Sequence, residues 1–320
     1  MNTQIKLAII AIAIVIPLAS LAITQTNSPS NNSTNENSKL QVVASATFLY
    51  EFSQNIGKEM IDVTLLVPMG ADPHDWEPTI RDTERLQKAD MIIVNGIGYE
   101  HWLNSLELSD IAGILVDTSN GISTLDSANH DEEKHDDHAK EDGHDDEDNH
   151  NHGVLDPHIW LNPVFAQLQV KNIANALSNS DPTNKNYYQS NAAIYNQKLN
   201  LLDTKIRTEL SGCNTDFITF HDAFSYFSEE YGLTQHTIIS STDSHGEVTP
   251  KTLENIISLA RDLDIKVIFA EESTSTKTSQ VIADEIGGKV LVLSPLEIVS
   301  DETYVEKMTQ NLQNLKDALC

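Results

Sequence analysis

Positive charge is scarce in this chain. Against 48 Asp and Glu there are 20 Lys and Arg, which leaves a formal net charge of −28 over 320 residues. The cations are scattered and form no basic stripe, so nucleic acid is excluded as a partner. Cysteine is scarcer still. Cys213 and Cys320 are the only two, and they lie far apart in no zinc-ribbon spacing, which argues against a thiolate metal site. A disulfide between them is compatible with an oxidising compartment. No H-E-x-x-H or comparable base motif occurs, which places a zinc hydrolase far down the order of readings and favours a protein that is not an enzyme.

An apolar run at residues 7–23 follows a single Lys. Its length sits on the border between a signal peptide and a membrane span, and either role exports the bulk of the chain to the cell surface or periplasm. No cysteine follows the run, so a lipid-modified cysteine is not the anchor. Residues 1–23 are therefore read as signal peptide or membrane anchor. Residues 24–40, rich in Asn, Ser and Thr, are read as a disordered tether. Sequons begin at Asn31 and Asn32.

From residue 41 short β-branched runs alternate with helical segments, the signature of βα units around mainly parallel sheets. Strands are predicted at "QVVASA", "DVTLLVP", "MIIVNG" and "GILVD", with helices at 48–58, 80–88 and 99–106. Thr79 with Asp82 can cap the second of these, and Asn162 before Pro163 has the residue types of an N-cap and first turn for a helix to about residue 179. A second series follows residue 213: "DFITF", "HTIIS", "KVIFA" and "KVLVLS", with helices at 223–231, 250–263, 275–286 and 304–319. Residues 184–210 carry almost no breaker, and a helix of roughly 27 residues would run about 40 Å, enough to bridge two lobes. The expected division is an N-terminal metal-binding lobe at 41–180, a connecting helix at 181–211 and a C-terminal lobe at 212–320.

Seven of the histidines fall between residues 129 and 160, six of them in a run crowded with acids. The run, bounded as a loop at 127–153, has no apolar period and repels itself, so it is expected to be disordered and to collect divalent cations only weakly. Three histidines outside that run have a different setting. His74 in "GADPHDWEPT", His158 in "LDPHIWLNP" and His221 in "ITFHDAF" all fall in loops that lead from strands to helices. In open α/β sheets such loops gather at the ligand crevice. Three imidazoles lean towards Zn²⁺, with Mn²⁺ less favoured because it prefers carboxylate and water. Asp156 or Asp72 could orient a ring nitrogen. His101, His236 and His245 are read as structural or surface residues.

The segments "MGADPHDWEPT", "ADMIIVNGIGYEHWL", "DPHIWLNP", "FHDAFSYF" and "KVLVLSPLE", in that order, resemble the solute-binding proteins of zinc and manganese uptake ABC transporters, the zinc-uptake, ZnuA-like type in particular. The likeness covers roughly residues 41–319. It implies two lobes, each a mainly parallel four-stranded α/β sheet flanked by helices, joined by one long rigid helix. It also implies an extracytoplasmic receptor that delivers Zn²⁺ to a transmembrane permease, with His74, His158 and His221 as metal ligands. A Glu stands at the third position in manganese members, so His221 points to zinc. A monomer is expected, and the alternatives are an extracellular zinc buffer or a manganese-uptake receptor. Relatives with Asp in an "LDPLG"-like turn use it as a fourth ligand, whereas this chain has Ser294 there. The fourth position stays open among a water, placed first, Glu271 and Glu297.

Overall fold

Two four-stranded sheets, parallel throughout, carry the fold, in the strand orders β2-β1-β3-β4 and β6-β5-β7-β8. The computed structural model describes residues 39–68, 71, 73–106, 111–125, 155–239, 248–272 and 276–320. The N-terminal apolar run, residues 24–38 of the tether and the histidine-rich run therefore lie outside the described residues, as do Asp72 and His245, while Leu40, assigned to the tether, opens the first strand. Among the described residues no helix is long and apolar enough to cross a membrane.

The first lobe runs β1 (Leu40–Ala44), α1 (Thr47–Gly57), β2 (Ile61–Leu65), α2 (Ile80–Lys88), β3 (Met91–Val94), β4 (Ile114–Asp117) and α3 (Pro163–Ser180). After α4 (Lys185–Leu210) the second runs β5 (Asp216–Thr219), α5 (Ser225–Tyr231), β6 (Thr234–Thr237), α6 (Pro250–Asp262), β7 (Val267–Ala270), α7 (Thr276–Ile286), β8 (Lys289–Val292) and α8 (Tyr304–Leu319). The inner strands β3 and β7, "MIIV" and "VIFA", are buried at every residue, as expected where helices cover both faces of a parallel sheet. Edge strand β2 instead alternates.

Capping chemistry sets several helix starts. Thr79 and Asp82 form a reciprocal capping box at α2, Asn162 accepts from the Val164 amide at α3 with Pro163 in the first turn, and Thr303 with Glu306 repeats the box at α8. Each satisfies amides that have no partner inside the helix.

Helix α4 extends over 26 residues, about 39 Å at 1.5 Å per residue. Its buried stripe, Tyr188, Ala192, Tyr195, Leu199, Leu202, Ile206 and Leu210, advances by three or four residues at a time, which places the side chains on one face. The first half is bonded to the first lobe, with Asn191 donating to the Ile56 carbonyl, Tyr195 to Glu51 and Asn196 to the Gln167 carbonyl. The second half is bonded to the second, with Arg207 on Glu230, Tyr231 on Asp203 and Lys316 on Glu209. The buried stripe of α4 lies in one hydrophobic core that takes Phe52 and Trp160 from the first lobe and Phe217 and Tyr304 from the second. Cys213 and Cys320 form a disulfide that ties the entry of β5 to the end of α8.

One expected helix is corrected. Residues 99–106 hold only a 3-10 turn, His101–Ser105. Gly96, Ile97 and Gly98 all adopt positive φ, and the Glu100 carboxylate accepts the amides of Asn95 and Gly96. That fold-back consumes the residues an α-helix would need for its first turn.

Candidate metal centre

The loops at the carboxyl ends of the strands converge between the sheets. His74 follows β2, His221 follows β5, Glu271 follows β7 and Glu297 follows β8, while His158 sits between β4 and α3. His158, His221 and Glu297 are buried and the His74 side chain is nearly so. One ligand atom from each of His74, His158, His221 and Glu297 lies within 4.8 Å of the other three.

Two of the rings are held in the same way. The Asp156 Oδ1 accepts both the backbone amide of His158, at 2.9 Å, and its Nδ1–H, at 2.7 Å. Glu271 Oε1 accepts the backbone amide of His221, at 3.1 Å, and its Nδ1–H, at 2.7 Å. A carboxylate only accepts, so Nδ1 of each ring carries a proton and each Nε2 faces inward, where loss of its own proton frees it for a metal. The two Nε2 atoms are 3.4 Å apart. Glu297 Oε1 is 3.5 Å from the His158 Nε2 and 2.8 Å from that of His74. A tetrahedron with bonds of about 2.1 Å has edges of about 3.4 Å, so two of these separations already match one. The His74–Glu297 pair is a hydrogen bond and must open by roughly half an ångström to match the others.

Electrostatics reinforce the cluster. Burial resists charge on His158, yet the neighbouring Asp156 and Glu297 carboxylates outweigh it and push the imidazole up to about 10. Burial likewise resists charge on Glu297, but His74 and His158 hold its carboxyl far below the usual range. Three nitrogens, one carboxylate and two orienting carboxylates suit a divalent cation of the zinc type.

The structure brings together all three histidines singled out in the sequence. Of the candidates for the fourth position, Glu297 faces the cluster and Glu271 faces the outer nitrogen of His221. Ser294 stands outside it, donating to Glu272 and accepting the Leu296 amide. His236 bonds Asp216, and His101 lies 3.7 Å from Glu77, both away from the cluster. The orienting role of Glu271 was not legible; its place at the end of a parallel strand beside β5 was the available signal.

Residues 42–318 match the family described as "ZnuA: Zinc-uptake complex component A periplasmic". The chain is 41% identical over 290 residues to the high-affinity zinc uptake system protein ZnuA of Bacillus subtilis (strain 168), covering 88% of each. It is 32% identical to the zinc-binding protein AdcA of Streptococcus pyogenes serotype M6, covering 87% of this chain but only 56% of that longer protein. The crystal structure of the metal-dependent lipoprotein YcdH from Bacillus subtilis superposes with a TM-score of 0.73 at 36% identity, over 88% of this chain and 99% of that one.

Proposed function

Because the chain belongs to the family of periplasmic zinc-uptake complex component A, we propose that it is an extracytoplasmic receptor that captures one Zn²⁺ between its lobes and delivers it to the permease of an ABC importer. The observation that carries this reading is the cluster of His74, His158, His221 and Glu297, whose ligand atoms lie within 4.8 Å of one another and come from both lobes. The ligands are the three Nε2 atoms and a Glu297 oxygen, with no water needed to complete the tetrahedron. Asp156 and Glu271 keep two rings in the metal-binding tautomer.

Capture is a matter of geometry. His74 and His158 belong to the lobe at 41–180, His221 and Glu297 to the lobe at 212–320, and the helix at 181–211 joins them. The metal therefore binds best when the lobes are together, and docking on a permease that favours their separation removes two ligands at once. The chain acts as a monomer and catalyses no reaction. The apolar run at 7–23 serves as export signal or anchor.

The names of the relatives support zinc as the cargo, and His221 in place of a carboxylate favours it over the harder Mn²⁺. Titration of the metal-free protein against a chromophoric chelator tests the reading, with one tight zinc per chain expected. Restoration of zinc-limited growth in cells lacking the protein separates a receptor from an extracellular buffer. Failure of either would overturn the reading.

A further inference from the structure

Glu297 reaches the cluster from a segment whose backbone is gripped from both lobes. The Ser294 carbonyl accepts from Asn311 at 2.7 Å and the Ile298 carbonyl from Lys307 at 3.2 Å, both donors belonging to α8 of the second lobe. Between them, the Pro295 carbonyl accepts from the Trp160 indole at 2.8 Å and the Leu296 carbonyl from the Thr47 hydroxyl at 2.8 Å, both donors belonging to the first lobe. Leu296, immediately before Glu297, has φ +63°, a conformation that a branched side chain rarely adopts and that persists only where its surroundings over-determine it.

We propose that Thr47 and Trp160 are positioning residues for the fourth zinc ligand, holding the strained Pro295–Leu296 turn so that Glu297 points at the histidines only while the lobes are together. This rests on the reading of Glu297 as a ligand. The two donors are themselves fixed as a unit, because Phe48, next to Thr47 in α1, stacks on Trp160 with ring centroids 4.4 Å apart. Separation of the lobes takes both donors away. The turn is then left with bonds from its own lobe and loses the constraint on Leu296. Zinc release is thereby coupled to lobe movement by backbone geometry in addition to loss of the first lobe's histidines.

The test uses Thr47, which lies at the start of α1, is only half buried and touches no metal ligand in the described contacts. Thr47→Val keeps its shape and removes the donor; Thr47→Ser keeps the donor. Zinc affinity is measured by chelator competition for wild type, T47V, T47S, E297Q and T47V/E297Q, with circular dichroism and melting to confirm folding. Loss of the hydrogen bond should weaken zinc binding by about three- to tenfold in T47V, with T47S within about twofold of wild type. In the E297Q background T47V should cause no further loss, because the group it positions is gone. An equal loss in both backgrounds, or none in the wild type despite a weakened E297Q, would overturn the positioning role while leaving Glu297 a ligand. An E297Q protein with unchanged zinc affinity would overturn both.

Discussion

The Nε2 atoms of His158 and His221 face each other at 3.4 Å across the two lobes, each ring bound through Nδ1 to a carboxylate of its own lobe. The lobes thus present a matched pair of pre-oriented nitrogens, and the consequences can be measured.

Removing either orienting charge should weaken the site without touching a ligand. Asp156→Asn and Glu271→Gln keep size and lose the charge that fixes the tautomer, so each should lower zinc affinity by about ten- to hundredfold. Chelator competition on the two variants is the check, and wild-type affinity in both would mean that ring orientation is set elsewhere.

Zinc binding through His158 is expected to displace a proton. An ordinary histidine would be largely neutral above about pH 6.5, but the carboxylates around His158 raise it to about 10, so at pH 8 the metal-free ring is still charged. Calorimetry in buffers of different ionisation enthalpy should find about one proton released per zinc at pH 8, with release fading as the pH passes 10. The same shift bears on stability. A group whose folded value is raised stabilises the metal-free fold fully below about pH 6.5, and that contribution is lost as pH rises through the folded value, by at most about 1.4 kcal/mol per pH unit. The melting temperature of the metal-free protein should fall between pH 8 and 10, and that of the zinc-loaded protein should fall less.

His221→Glu should weaken zinc binding and narrow its advantage over Mn²⁺, because a carboxylate is relatively more acceptable to the harder ion. Zinc should still bind more tightly in absolute terms. Parallel competition titrations decide it; a widened zinc preference would place His221 outside the coordination sphere.

Replacing Cys213 and Cys320 with Ala opens a loop spanning 107 positions and should cost about 2–4 kcal/mol of stability. The disulfide lies before the start of β5 and His221 beyond its end, so zinc affinity measured well below the melting temperature should stay within about twofold of wild type.

Where signals were local, the sequence was readable. The sequence places helices near 80–88 and 304–319, because the cap at Thr79 acts within one turn and the second segment carries a clear apolar face. Residues 99–106 failed for a non-local reason: the carboxylate of Glu100 turns back to the amides after β3 and is held there also by Ser45 of the neighbouring strand end. The three histidines that the structure brings together stand out in the sequence by their loops. The division of labour between Glu271 and Glu297 was not, because both follow adjacent strands of the second sheet. Only the packing of β7 beside β5, and the turn gripped by Thr47 and Trp160, decides which carboxylate meets an outer nitrogen and which an inner one.

Coordination of one zinc by four side chains from both lobes can be observed. Crystals grown with one equivalent of zinc, with diffraction recorded just above and just below the zinc absorption edge, test it most directly. A single anomalous peak is expected about 2.0–2.2 Å from the Nε2 atoms of His74, His158 and His221 and from a Glu297 oxygen. A peak bound by residues of one lobe alone, or located away from these four, would contradict it.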